Sequence, residues 1–185
     1  MVNIDYLKNP FNYIGGKYKL LPQILPLFPK KIDKFVDLFG GGGEVSLNVN
    51  AKQVVYNDKC KPLVNIFRNL DSKFVDEVKE MIDTYKLNKF SKQEFLNLRS
   101  YYNTNLKDKL DRENAVVLYC LITHAFNYQI AFNKNREFNM PSGASRSYFS
   151  TSLEDKLVKY IEAIDKKNIL SLIHISEPTR LLSIS

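Results

Sequence analysis

The chain has 185 residues and carries 27 basic against 20 acidic side chains, a formal net charge of +7, with 44% hydrophobic and 25% charged residues. This is ordinary globular composition and excludes a disordered chain; no apolar run reaches the ~20 residues of a membrane span, and no signal peptide opens the sequence. Cys60 and Cys120 are too few for a disulfide framework or a cysteine-built zinc site, so a cytoplasmic setting without membrane or metal is expected, and the basic excess suits a polyanion.

In chain order, Asn12-Tyr13-Ile14-Gly15-Gly16-Lys17 reads as a loop leading into an apolar helix punctuated by Pro22 and Pro26. Residues 34–39 are a short apolar run closed by four glycines, Gly40 to Gly43. Residues 44–50 suit a helix, and residues 53–58 a second buried strand ending in an acid. Strand, glycine turn, helix, strand is one βαβ unit with parallel strands.

From about Pro62 to Asn127 the pattern turns helical. Phe74, Val78, Met81, Ile82 and Tyr85 share one face. Ser91-Lys92-Gln93-Glu94 has capping-box spacing, with Phe95, Leu98 and Tyr102 on the buried side of its helix. Residues 115–125 are apolar nearly all round, which predicts a central helix. Residues 130–147 are polar, aromatic and basic without helical period, and read as a long loop or hairpin. Ser152-Leu153-Glu154-Asp155 opens a last amphipathic helix, with Leu157, Tyr160, Ile161 and Ile164 inward.

The end of the chain reads differently. Leu170-Ser171-Leu172-Ile173-His174-Ile175-Ser176-Glu177-Pro178-Thr179-Arg180 resembles the in-frame translation of a transposase adapter used in sequencing libraries. Residues 170–185 are therefore set aside as adapter-derived, and His174 carries no functional weight. The biological sequence is expected to stop near Ile169 with the gene continuing.

The chemistry concentrates in the glycine turn. Glycines let the backbone turn sharply and let a ligand lie against it, at the N-terminus of the next helix. Asp58, ending the second strand, is placed to accept hydrogen bonds from both ribose hydroxyls, which points to an adenosine-containing ligand. The dinucleotide fingerprint fits only in part, because its last glycine falls on Val45 or Ser46. A phosphate-binding Walker loop fails because Tyr18 follows Gly16-Lys17. A methyl-donor turn is met by Phe39, Gly41 and Gly43.

Three motifs in order carry a family resemblance: Asn12-Tyr13-Ile14-Gly15-Gly16-Lys17 with Leu20-Leu21-Pro22, then Phe35-Val36-Asp37-Leu38-Phe39-Gly40-Gly41-Gly42 with Val45-Ser46-Leu47-Asn48-Val49, then Asn57-Asp58. From about Asn9 to Ile169 the chain resembles Dam-like DNA adenine-N6 methyltransferases, especially those of T-even-like phages. The resemblance implies an α/β fold: an incomplete Rossmann-like sheet binding S-adenosylmethionine, with an inserted helical DNA-recognition lobe. Residues 1–61 would begin the donor-binding domain, residues 62–150 would form the lobe and its hairpin, and residues 151–169 would return to the first domain.

It also implies roles. Tyr13 would pack on the donor and Lys17 would bond its carboxylate end. Asp37, Phe39, Gly41 and their neighbours would line the methionine part, and Asp58 would hold the ribose. Double-stranded DNA would meet Asn127, Asn133, Lys134, Arg136 and Arg146, with Tyr148 beside them, since such side chains reach base edges and phosphates. The family usually has arginine where Ala131 stands, glycine where Arg136 stands, and Pro-Phe-Gly where Pro141-Ser142-Gly143 stands. Its usual GATC target is therefore not carried over.

The implied activity is site-specific methyl transfer to adenine N6 in DNA, in a phage or a bacterial modification system. The family's Asp-Pro-Pro-Tyr motif, which holds the flipped adenine, occurs nowhere in these 185 residues, so no catalytic residue is assigned. The chain as it stands is expected to be inactive, with the Phe35 strand an apolar edge. Two other readings stay open: a dinucleotide oxidoreductase, and a DNA-binding module without catalysis.

Overall fold

Short β-branched and aromatic runs make three parallel strands, β1 (Lys34–Asp37), β2 (Gln53–Tyr56) and β3 (Ile169–Ser171), in the order β1-β2-β3. The computed structural model describes residues 6–10, 12–167 and 169–171. Phe35 lies opposite Val54, Asp37 opposite Tyr56, and Val54 opposite Ile169. β2 is the middle strand, and Val54, Val55 and Tyr56 are buried accordingly. β1 is an edge among the described residues, and Val36 on it is 44% exposed.

The backbone of Leu170 and Ser171 pairs with Val55 and Tyr56, so the first two residues of the segment set aside above belong to β3. A parallel ladder is built from main-chain groups and does not depend on those side chains. The rest of that segment, His174 included, lies outside the described residues.

The proline-punctuated segment is a short helix, α1 (Leu21–Ile24), between two 3-10 turns. Prolines at the first helical positions are tolerated because the missing N–H has no intrahelical partner there. α2 (Glu44–Asn48) joins β1 to β2. Four helices follow: α3 (Lys61–Asn69), α4 (Phe74–Thr84), α5 (Lys92–Tyr101) and α6 (Arg112–His124). α6 is the centre of this group, touching α3, α4 and α5, and every residue from Asn114 to His124 is buried. Asn114 is tolerated there because its amide donates to Leu106 C=O at 2.8 Å and its oxygen accepts from Asn65 Nδ2 at 2.9 Å.

α7 (Thr151–Lys166) packs on α4, and its Leu157, Tyr160 and Ile161 enter the core as the spacing predicts. Tyr56, Phe67 and Tyr160 form an aromatic chain with centroids 4.4 and 5.7 Å apart, tying the sheet to α3 and α7.

Two helix starts differ from expectation. Ser91 makes no capping bond to α5; its hydroxyl instead accepts from Asn88 N–H (2.7 Å) and donates to Asn88 C=O (2.8 Å). The preceding turn competes for the hydroxyl and wins. α7 begins at Thr151, capped by Ser150 rather than opened by Ser152, with Ser150 Oγ accepting from Leu153 N–H at 3.3 Å.

Candidate functional site

The glycine turn leaves β1 and enters α2, and its shape is set from three sides. Gly41 (φ +50°) and Gly43 (φ +74°) occupy the left-handed region that side-chain-bearing residues avoid. A Cβ on Gly43 would stand 2.4 Å from Tyr160 Oη, and one on Gly41 would stand 3.0 Å from the Tyr13 ring. Tyr56 Oη donates to Gly41 C=O and Tyr160 Oη to Gly42 C=O, both at 2.7 Å. Much of the glycine requirement thus comes from the protein's own aromatic side chains.

Asp58 closes the turn from β2. Its Oδ2 accepts from Gly41 N–H at 3.0 Å and its Oδ1 from Cys60 N–H at 2.8 Å, with the residue 8% exposed. Tyr13 borders the same group: burial first, then the Asp58 charge, push its phenol up to about 12. Asp37 Oδ2 accepts from Ser46 Oγ at 2.7 Å, and burial raises its carboxyl above the usual range despite that bond. Phe39 is 86% exposed, an unusual state for a large aromatic side chain, while its main chain bonds the half-buried Asp37 carboxylate. Asn57 Nδ2 donates to Leu38 C=O at 2.9 Å, while its buried Oδ1 has no partner among the described residues. Of the six residues expected around a donor, the structure brings Tyr13, Asp37, Gly41 and Asp58 together.

Lys17 is held differently. Its ammonium donates to Gly15 C=O at 2.5 Å and is exposed, and its main-chain N–H donates to the Glu44 carboxylate. Sequence reasoning passed over Glu44. Buried in the first turn of α2, it also accepts from Tyr18 N–H (3.1 Å) and Asn9 Nδ2 (2.6 Å), so it clamps the Gly15–Gly16 loop onto the glycine turn. The available signal was an acid in the first turn after the glycines, where a helix N-terminus favours negative charge.

Residues 130–147 hold a minimal hairpin, with one isolated antiparallel bridge between Phe132 and Phe138 and their rings 5.9 Å apart. Asn133 builds its turn: Oδ1 accepts from Asn135 and Glu137 N–H, and Nδ2 donates to Glu137 Oε2 at 2.9 Å. Arg136 sits at φ +61° and pairs with Asp108 at 2.8 Å. That dihedral gives a physical reason for a glycine at this place. Lys134 and Arg146 are exposed, and Arg146 C=O accepts from Tyr128 Oη at 3.2 Å. Asn127 and Tyr128 are consecutive left-handed residues (φ 54° and 57°). Their carbonyls accept from Asn12 Nδ2 and Asn12 N–H respectively, each at 3.2 Å, which joins the hairpin end to the Tyr13 loop.

Among the described residues no three His, Cys, Asp or Glu side chains cluster as metal ligands, and no helix is long and apolar enough to cross a membrane.

An α/β fold with a glycine turn, a strand-end acid and a helical group agrees with the sequence comparisons. Residues 13–173 match the D12 class of N6 adenine-specific DNA methyltransferases, and the chain belongs to that family. It is 46% identical over 169 residues to the type II methyltransferase M.FokI of Planomicrobium okeanokoites, covering 89% of this chain and 25% of that protein. It is 44% identical over 160 residues to the modification methylase StsI of Streptococcus sanguinis, covering 84% of this chain and 23% of that one. The DNA adenine methylase of Haemophilus influenzae is 26% identical over 145 residues, with 76% and 49% covered. The chain therefore spans about a quarter of the length of the first two relatives.

Proposed function

We propose that this chain supplies the methyl-donor and DNA-recognition part of an adenine-N6 DNA methyltransferase that uses S-adenosylmethionine on double-stranded DNA in a bacterial or phage-infected cytoplasm. One observation carries the reading. Gly41 and Asp58 are hydrogen-bonded at the same end of two parallel strands, bordered by the Tyr13 ring. Open parallel sheets bind ligands beyond the carboxyl ends of their strands. On this reading the strands are the start of a Rossmann-like sheet, served by residues 1–61 and 151–169, and residues 62–150 are the inserted recognition lobe.

The residues fit such a donor. The Asp58 carboxylate accepts one bond from each of two main-chain N–H groups and keeps lone pairs for ribose hydroxyls. Phe39 offers a free aromatic face, and Tyr13 covers the turn. Lys17 reaches the donor's carboxylate by leaving Gly15 C=O, and Asp37 holds Ser46 and with it the start of α2. The bound donor supplies the electrophilic methyl group. Lys134 and Arg146 contact phosphates, Arg136 exchanges Asp108 for DNA, Asn127 meets the duplex at the hairpin end, and Asn133 acts by shaping the turn. These 185 residues contain no Asp-Pro-Pro-Tyr, so the group that holds the adenine is not assigned here.

Equilibrium binding of radiolabelled S-adenosylmethionine, run beside NADH, tests the reading. Saturable binding of the first alone is expected. NADH binding without S-adenosylmethionine binding would replace it with a dinucleotide enzyme. Salt-dependent DNA binding without donor affinity would leave a DNA-binding module.

A further inference from the structure

Beside the glycine turn, and sharing only Tyr13 with the strand-end cluster, lies an open cleft of about 810 Å³. Four parts of the chain far apart in sequence form it: the N-terminal loop through Lys19, Glu44 of α2, the turn at Tyr128 and Gln129, and the start of α7 from Ser150 to Lys156. Lys8, Lys19 and Lys156 line it, all exposed. Among the described residues none of the three is paired with a carboxylate; Lys8 lies 5.6 Å from the Tyr18 ring instead. The single carboxylate in the wall, Glu44, is buried and already accepts from Asn9, Lys17 and Tyr18. Ser150 and Ser152 add hydroxyls at a helix N-terminus, whose dipole favours anions.

We infer that this cleft is a phosphodiester-binding channel that holds the backbone of the duplex. The inference rests on the DNA-methyltransferase reading and deepens it. Uncompensated cations converging on one concavity raise the local potential for an anion. The volume suits a stretch of backbone rather than one isolated phosphate. The contact is also placed to register the duplex against the donor site, because Asn12 in the cleft wall neighbours Tyr13 and is bonded to the Asn127–Tyr128 turn. Two of the residues expected to touch DNA from the hairpin, Asn133 and Arg136, are engaged within the protein. Sequence-independent affinity is therefore shared between the cleft and the exposed Lys134 and Arg146.

The test is the salt dependence of duplex binding by the full 185-residue chain and by variants. Neutralising one phosphate contributes a slope of about −0.9 to log K against log[salt]. Lys19→Ala and Lys156→Ala should each reduce the slope magnitude by about 1, and the Lys8→Ala/Lys19→Ala/Lys156→Ala variant by about 2–3. Lys31→Ala/Lys92→Ala, outside the cleft, should leave it unchanged. S-adenosylmethionine affinity of the triple variant should also be unchanged. Far-UV circular dichroism checks folding, and the single variants carry the test if the triple variant unfolds. Intact duplex binding with the slope of the unmodified chain in the single variants overturns the channel alone. Absence of duplex binding by the unmodified chain removes the DNA reading and the channel together.

Discussion

The main-chain N–H of Gly41 donates to Asp58 Oδ2 at 3.0 Å, so the turn after β1 and the acid after β2 move as one unit. Asp58→Asn keeps the size but leaves an amide N–H₂ facing one of two donor groups. Loss of a charge-assisted bond and an unsatisfied buried donor together remove about 2–4 kcal/mol. We expect a lower urea midpoint and at least a tenfold loss of S-adenosylmethionine affinity by calorimetry. Unchanged donor affinity in a folded variant would take Asp58 out of the site.

Gly43→Ala meets Tyr160 Oη at 2.4 Å and forces a side chain into φ +74°. The left-handed penalty and overpacking add to roughly 2–4 kcal/mol of lost stability. Tyr160→Phe removes the clashing oxygen, so the double variant should lose less than the sum of the singles. Additive losses in denaturant unfolding would show that the hydroxyl is not what the glycine avoids.

Arg136→Gly relieves a left-handed arginine at the expense of an exposed ion pair with Asp108. The dihedral costs about 1–2 kcal/mol and the exposed pair contributes at most about 1. Stability should rise by about 0.5–1 kcal/mol, read by chemical denaturation, while duplex affinity falls. Unchanged duplex affinity would confine Arg136 to the hairpin's surface.

His124 is 4% exposed, and burial lowers its pKa below the ordinary 6.5. The unfolded chain therefore binds the proton more readily, and acid favours unfolding. The stability that the neutral ring contributes is complete above pH 6.5 and is lost as pH falls toward the folded value. The difference in unfolding free energy between the unmodified chain and His124→Asn should shrink from pH 7.5 to 5.5. A pH-independent difference would contradict this.

The βαβ unit was legible because its signals are local: two apolar runs, four glycines between them, and an acid at the end. α6 was legible because apolar residues all round a helix leave it nowhere but inside. Glu44 was not, since an acid in a first turn looks the same whether it faces water or clamps a distant loop. The partners of the glycines were hidden too, because Tyr160 lies 118 residues from Gly42. At Ser91 the pattern for a capping box is present, yet the hydroxyl is captured by Asn88, a competition between neighbours that spacing alone cannot rank.

The bond from Tyr160 to Gly42 also governs when the site can form. During synthesis the turn leaves the ribosome long before its partner does, by roughly 6–24 s at ~5–20 residues per second. Until α7 returns, Gly40 to Gly43 carry the full entropy of a flexible loop, and closure must span 118 residues. The turn is therefore a late product of folding, assembled only after the helices around α6 have brought Tyr160 back to Gly42.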